Sequence, residues 1–349
     1  MLTLDKIYHA AFVLKDIARK TDLIAAPQLC EDSQVYLKTE NLQVTGSFKV
    51  RGAYYKISQL TEEERAKGVI ACSAGNHAQG VALAATKMGI KSIICMPDGA
   101  PIMKVENTKR LGAEVRLAKG TYDDAHDLAV KLQEETGMTF IHPYDDDLVI
   151  AGQGSIGLEI LEQLPDVEAV IVPIGGGGLI SGVALAMKSL RPDIKIYGVQ
   201  AAGAASMFNA FKAKSYQTLN AVSTFADGIA VKTPGENTFN IIEKYVDEII
   251  TVSEDEIAAA ILALIEKQKL IAEGAKEYII DDAELKRVQD NYPVIWKNPD
   301  AAPKLCFVGC PHLSMEQLIS WTENVEKGTK NADCLLYTSD AADERSSVD

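Results

Sequence analysis

The chain has 349 residues, which is enough for about two domains and a large buried core. It is 47% hydrophobic and 24% charged, a composition of globular proteins that excludes disordered, collagenous and coiled-coil classes. With 35 Lys and Arg against 49 Asp and Glu, the net charge is −14. A surface of that sign repels polyphosphate backbones, so we expect no nucleic-acid partner.

The six cysteines are widely spaced and lack the close-set framework of a secreted, disulfide-rich protein. Charged residues such as Asp5 and Lys6 interrupt the first twenty positions, which leaves no apolar centre for a signal peptide. Residues 169–187 carry no charge over nearly the length of a membrane span, but Pro173 and a glycine run favour a strand, a loop and a helix there. The sequence therefore predicts a cytoplasmic protein with no membrane partner.

Apolar segments rich in β-branched residues alternate with segments of helical period between residues 35 and 270. This alternation predicts an α/β fold built from parallel sheets. Strands are predicted at residues 35–38, 68–72, 91–96, 113–117, 139–142, 169–174, 195–200 and 248–252. Helices are predicted at residues 78–88, 102–111, 123–135, 156–164, 179–190 and 254–270.

The first candidate site loop is TGSFKVRGA at residues 45–53, in which Lys49 follows small hydroxyl residues and begins an apolar stretch. Helix N-termini favour anions, so a lysine at a helix start is an unusual choice. The position is explained if the amine forms a Schiff base while nearby backbone amides bind anionic groups. Taken alone, such a lysine is more often an ordinary surface residue.

The second candidate loop lies between the predicted strand that ends at Cys72 and the next helix. The carboxyl ends of parallel strands are where open α/β sheets bind ligands, and amides at the following helix start favour a carboxylate. A turn that only caps the helix is the alternative. The residues of this loop are Ser73, Ala74, Gly75, Asn76 and His77.

The third candidate loop again follows a predicted strand and precedes a helix. Consecutive glycines let backbone amides converge on one anion, which is typical of a phosphate site, although a flexible hinge is an alternative. The run is contiguous and lacks the GxGxxG spacing of a dinucleotide loop. It consists of Gly175, Gly176, Gly177 and Gly178, followed by Leu179.

An amine, a carboxylate site and a phosphate site together are what pyridoxal phosphate chemistry on an amino acid requires. Residues 1–275 resemble the fold-type II pyridoxal phosphate enzymes, and among them the threonine ammonia-lyases. The motifs that carry the resemblance are SFKVRGA from Ser47, SAGNHAQGVA from Ser73, GGGGLISG from Gly175, TFADGIAVKTPG from Thr224 and EGA from Glu273.

The resemblance implies a tryptophan synthase β-like fold of two doubly wound, open-sheet domains with the site between them. Residues 1–48 and 152–275 would form a large cofactor-binding domain, and residues 49–151 a small substrate-side domain. The implied reaction is deamination of L-threonine to 2-oxobutanoate and ammonia, and of L-serine to pyruvate, in a homo-oligomeric enzyme.

The resemblance also implies roles for individual residues. Lys49 would hold the cofactor and move the substrate's α-proton, and Phe48 would lie beside the cofactor ring. Asn76 would contact the cofactor 3′-oxygen, and the loop from Ser73 to His77 would receive the substrate carboxylate. The phosphate would lie at Gly175, Gly176, Gly177, Gly178 and Leu179. No metal site is predicted.

Two alternatives stay open within this resemblance. One is a serine dehydratase or racemase of the same fold. Family members that racemise serine carry a serine base at the position of Ala74, which disfavours racemisation here. The other is a catalytically impaired chimera that only binds amino acid or cofactor.

The composition changes after residue 275, where only two of the 25 glycines but both tryptophans occur. The serine loop that meets the cofactor's pyridine nitrogen in the family is absent there. Residues 276–330 resemble a fragment of aconitase-X-type dehydratases, with GCPH at residues 309–312, and we interpret them as foreign to the preceding fold. Residues 334–345 resemble a translated sequencing adapter, so residues 331–349 are interpreted as an artefactual tail.

Overall fold

The computed structural model describes residues 2–268 and residue 270. The EGA motif at residues 273–275 and the predicted segments 276–330 and 331–349 lie outside the described residues. In chain order the first elements are α1 (Leu4–Leu14), β1 (Leu23–Ala25), β2 (Tyr36–Lys38), α2 (Lys49–Ser58), α3 (Glu62–Lys67), β3 (Val69–Cys72), α4 (Asn76–Lys87), β4 (Ser92–Pro97), α5 (Ile102–Arg110), β5 (Glu114–Ala118), α6 (Tyr122–Thr136) and β6 (Thr139–Phe140). They are followed by α7 (Asp147–Gln163), β7 (Ala169–Pro173), α8 (Gly178–Leu190), β8 (Lys195–Ala201), α9 (Ser206–Ala213), α10 (Glu236–Tyr245), β9 (Glu248–Val252) and α11 (Glu254–Gln268).

Two parallel sheets organise the described part of the chain. The first has the strand order β5-β4-β3-β6, with Val69 opposite Ser92 and Ile93 opposite Glu114. The second has the order β7-β8-β9, with Ala169 opposite Lys195. Strands β1 and β2 form a separate antiparallel pair. The predicted α/β class with parallel sheets is confirmed.

The first sheet is covered by helices on both faces, as parallel sheets require. Val69 and Ala71 of β3 pack with α4, whereas Ile70 and Cys72 pack with α6, so successive side chains of one strand enter opposite cores. All four residues of β3 are buried. This burial explains why the strand reads as a continuous apolar run in the sequence.

Helix α7 packs between α2 and α8, and the packing is close because glycines meet at both interfaces. A Cβ atom at Gly152 would lie 2.6 Å from the carbonyl oxygen of Arg51 on α2. A Cβ atom at Gly182 of α8 would overlap the carbonyl oxygen of Ile150 on α7. The packing of α7 on both helices fixes the starts of α2 and α8 relative to one another. These two helix starts carry two of the three predicted site loops.

The predicted strands agree with the structure to within about two residues, but α7 begins nine residues earlier than the predicted helix at 156–164. The Asp146 side chain accepts hydrogen bonds from the backbone N–H groups of Leu148 (2.8 Å) and Val149 (3.1 Å) and so caps the true start. The glycines of α7 have low helix propensity and hid this start from sequence analysis. Helices α1, α3, α9 and α10 and strand β1 were not predicted.

Among the described residues, no helix combines the length and the hydropathy needed to cross a membrane.

Candidate active site

Lys49 is the first residue of α2, and its amine is held by the backbone of a distant segment. Its Nζ donates a hydrogen bond to the carbonyl oxygen of Pro143 (2.8 Å) and lies 5.5 Å from the centre of the Phe48 ring. Helix α4 packs directly on this helix start, since a Cβ atom at Gly80 would lie 3.1 Å from the Lys49 carbonyl. The fold therefore brings the first two predicted loops together.

The loop between β3 and α4 lies where it is predicted, but α4 begins at Asn76, two residues before the predicted helix, so Asn76 and His77 belong to its first turn. The Ser73 hydroxyl accepts a hydrogen bond from the Gly75 N–H (3.2 Å). A Cβ atom at Gly75 would meet nothing within 4 Å among the described residues, so the space beside this backbone is open to a ligand. Ser73, Ala74, Gly75 and Asn76 are all half-buried, a degree of exposure that suits a substrate loop.

His77 is the most buried residue of this loop, with 3% exposure. Its Nε2 lies 2.8 Å from the carbonyl oxygen of Ile141. Because a carbonyl oxygen only accepts, Nε2 must carry the hydrogen in this contact. Burial, together with the positive charge of Lys49, lowers the pKa of His77 to about 3. The imidazole is therefore neutral at physiological pH and ties α4 to the segment that follows β6.

Residues 142–146 form that segment. They contact two of the predicted loops, although no role was predicted for them. Pro143 accepts from Lys49, and the ring of the next residue, Tyr144, packs so closely on the glycine run that a Cβ atom at Gly176 would overlap it. The Tyr144 hydroxyl donates to the carbonyl oxygen of Thr233 (3.0 Å). Two adjacent residues thus link the amine of Lys49 to the third predicted loop. Both residues follow a predicted parallel strand, and ligands bind beyond the carboxyl ends of such strands. This position could have identified them as site residues from the sequence.

The third loop ends in the first turn of α8, and Gly177, directly before that helix, has a φ of +96°, a conformation that favours glycine. Gly176, Gly177 and Gly178 are buried, and no group among the described residues accepts a hydrogen bond from their N–H groups. Leu179 is half-buried and packs against the core of the second sheet. Since buried N–H groups are nearly always paired, these three are suited to an anionic ligand.

Arg51 lies two residues after Lys49 and anchors α2 in a buried ion network. Its guanidinium donates to Glu40 (2.8 and 2.9 Å) and to Glu159 of α7 (2.6 and 3.0 Å). Lys38 Nζ donates to the second oxygen of Glu159 (2.6 Å). Burial opposes the charge of Arg51, but the hydrogen bonds and charges of Glu40 and Glu159 outweigh it and raise the pKa of the guanidinium. The network fixes the helix start that presents Lys49.

The buried histidines of the site predict how stability depends on pH. The pKa of His142 is lowered to about 4, mainly by burial, and that of His77 to about 3. An unfolded imidazole has a pKa of about 6.5, so below that pH the unfolded chain binds more protons and the fold loses stability. His77→Gln keeps a donor for Ile141 but cannot take up the proton. Between pH 7.5 and pH 5, we therefore expect its free energy of unfolding to fall by about 2 kcal/mol less than that of the parent chain. Urea unfolding at both pH values measures this, and an unchanged pH dependence would contradict the assignment of a neutral His77.

Comparison with known proteins places the chain in a family. The family model described as "Pyridoxal-phosphate dependent enzyme" matches residues 14–279. The chain belongs to this family, which confirms the predicted cofactor. It is 53% identical over 277 residues to the L-threonine ammonia-lyase of Thermotoga maritima, covering 79% of this chain and 69% of that protein.

Solved structures are similar at the level of the fold as well. The processed form of threonine deaminase isoform 2 from Solanum lycopersicum has a TM-score of 0.74 and 37% identity, covering 82% of this chain and 88% of that one. Maize serine racemase has a TM-score of 0.76 and 36% identity, covering 78% and 83% of the two chains. These neighbours confirm the predicted fold-type II architecture.

The residues present fit pyridoxal phosphate. The buried N–H groups of Gly176, Gly177 and Gly178, which find no acceptor among the described residues, suit its phosphate, and the positive end of α8 carries no acidic side chain in its first turn. The amine of Lys49 contacts Pro143, and the adjacent Tyr144 packs on the same glycine run. Among the described residues, no group of three or more His, Cys, Asp or Glu side chains is arranged to hold a metal ion.

Proposed function

We propose that the chain is a threonine ammonia-lyase in which Lys49 carries the pyridoxal phosphate. The observation that carries the proposal is that the Lys49 amine contacts Pro143, while the next residue, Tyr144, packs on glycine amides that have no acceptor in the described part of the chain. The similarity to an L-threonine ammonia-lyase at 53% identity supports the choice of substrate.

Each loop has a part in the proposed reaction. Bound pyridoxal phosphate supplies an electron sink for negative charge at the substrate's α-carbon. The backbone N–H groups at the start of α4 bind the substrate carboxylate beside Asn76. Lys49 Nζ takes the α-proton, since it is the amine that the fold places at this site. Loss of the α-proton and the β-hydroxyl from L-threonine leaves an enamine that hydrolyses to 2-oxobutanoate and ammonia.

The similarity to maize serine racemase favours a second candidate of the same fold. Racemisation needs a proton carrier on each face of the α-carbon. Ala74, in the loop beside Asn76, has no titratable group. We therefore propose elimination as the main reaction, with L-serine converted to pyruvate alongside L-threonine.

The proposal is tested by incubating the full chain with pyridoxal phosphate and either L-threonine or L-serine. We expect 2-oxobutanoate and pyruvate, respectively, with ammonia in equal amounts and L-threonine as the better substrate. Formation of D-serine without keto acid would favour the racemase. Cofactor binding without any turnover would instead indicate the impaired chimera.

We further propose the domain boundaries given by the resemblance, with residues 49–151 around the first sheet and residues 1–48 and 152–275 around the second. A homo-oligomer in the cytoplasm is part of the same proposal. Size-exclusion chromatography with light scattering tests the oligomer, and a monomeric, active enzyme would contradict it.

Residues 276–349 are proposed to contribute nothing to catalysis. Replacing them with a family-type C-terminal segment that carries the serine loop is expected to raise threonine deamination, since this loop would supply a partner for the pyridine nitrogen. A parent chain that is already as active as the graft, and that loses activity on Cys310→Ala, would show that these residues are a working part of the enzyme.

A further inference from the structure

Two buried side chains hold carbonyl groups of the glycine run, and neither belongs to a predicted site loop. Thr238, in the first turn of α10, donates through Oγ1 to the carbonyl oxygen of Gly176 (2.6 Å). Gln200 of β8 donates through Nε2 to the carbonyl oxygen of Gly175 (3.4 Å). Both side chains are fully buried, at 0% exposure.

These contacts determine where the next N–H groups point. A trans peptide unit is planar, so its C=O and the N–H of the following residue face opposite ways. The described residues contain no cis peptide bond. Holding the Gly176 carbonyl toward Thr238 therefore turns the Gly177 N–H away from α10. In the same way, Gln200 holds the Gly175 carbonyl and thereby turns the Gly176 N–H away from the Gln200 side chain.

The two side chains are themselves held in place. The Thr238 N–H donates to Asp145 Oδ1 (3.1 Å), and the Glu236 N–H donates to Asp145 Oδ2 (3.1 Å), so the segment after β6 fixes the start of α10. Gln200 Oε1 accepts from the Phe208 N–H (2.9 Å), which settles the orientation of its amide. Thr238 is thus preorganised in its contact with Gly176.

Thr238 could instead serve only as a capping residue of α10, but its hydroxyl is used elsewhere. The residue before α10 is Gly235, which has no side chain, and the N–H groups of Glu236 and Thr238 in the first turn donate to Asp145. The hydroxyl proton goes to Gly176, which is closer than the alternative acceptor, the Gly235 carbonyl at 3.1 Å. The contact with the loop is therefore the main polar interaction of this side chain.

We propose that Thr238, assisted by Gln200, is a positioning residue that aims the glycine amides at the cofactor phosphate. The inference rests on the proposed function, since it assumes that the phosphate lies on these amides. Its effect is confined to the phosphate end of the ligand, because Thr238 contacts the loop and not Lys49.

The test compares the affinities of the apo form of the full chain for pyridoxal phosphate and for pyridoxal, which lacks the phosphate. In Thr238→Val, which keeps the shape but not the hydroxyl, we expect pyridoxal phosphate to bind about tenfold more weakly and pyridoxal to bind unchanged. Thr238→Ser, which restores a hydroxyl, should recover most of the lost affinity. Thr108→Val is the matched control, since Thr108 is a buried threonine of α5 whose hydroxyl donates to the helix carbonyl of Lys104 (2.9 Å).

Equal weakening of both ligands in Thr238→Val, or no weakening of either, would overturn the inference. If Thr238→Val does not fold, the ratio of the affinities for pyridoxal phosphate and pyridoxal is measured in Gln200→Met instead. This ratio is expected to fall, and an unchanged ratio overturns the inference. A parent chain that binds pyridoxal phosphate no more tightly than pyridoxal would overturn the proposed function itself. The two failures are therefore distinguishable.

Discussion

Lys49→Ala is expected to lower kcat for L-threonine by at least about a thousandfold, because it removes both the cofactor attachment and the base that takes the α-proton. Keto-acid formation at saturating cofactor measures the loss. The fold should survive, since Lys49 is half-buried at the start of α2, and Ala has a high helix propensity. Far-UV circular dichroism and the unfolding midpoint check this.

The matched control is Lys49→Arg, which keeps the positive charge and the donor to Pro143 but cannot attach the cofactor or act as the base. It should be as inactive as Lys49→Ala. Lys104→Ala is the second control, because the Lys104 ion pair with Asp227 is exposed and lies outside the predicted site. Lys49→Arg with near-normal turnover would contradict the role proposed for the amine.

Arg51→Met is expected to destabilise the fold by about 3–5 kcal/mol, because it leaves the carboxylates of Glu40 and Glu159 buried without their main partner. The Arg51 side chain is only 1% exposed, so water cannot replace the lost hydrogen bonds. Urea unfolding of the apo chain measures the loss. Cofactor attachment should fall as well, since the network fixes the start of α2.

Lys20→Met provides the matched control, since Lys20 forms an ion pair with Glu162 of α7, the helix that carries Glu159, at 49% and 68% side-chain exposure. Exposed pairs contribute little, so its unfolding midpoint should hardly change. Arg51→Met with the stability of Lys20→Met would show that the network is not what anchors α2.

The sequence predicted the parts of the site that follow a local pattern. Each predicted loop comes directly after a strand or opens a helix, and its glycine, asparagine or lysine is unusual for that place. The same local signals made the strands of both sheets predictable. The predicted α7 was too short. The cap at Asp146 and the glycines that pack on α2 and α8 favour a helix only once these elements are packed together in the fold.

Residues that act through one tertiary contact left no such signal. Thr238 reads as an ordinary residue near a helix start, and Gln200 as a polar residue in a strand. Their importance depends on the Gly175 and Gly176 carbonyl groups, which come from another part of the chain. Tyr144 is likewise defined by the glycines against which its ring packs. Such roles depend on long-range packing and are visible only in three dimensions.

The most direct test of Lys49 as the cofactor-bearing residue is to load the full chain with pyridoxal phosphate, reduce it with borohydride and map the modified peptide by mass spectrometry. We predict loss of the yellow colour on reduction and one pyridoxyl group on Lys49. Lys232, in the TFADGIAVKTPG motif, is the internal comparison and should be unmodified. A pyridoxyl group on Lys232, or none anywhere in a folded protein, would contradict the claim that Lys49 carries the cofactor.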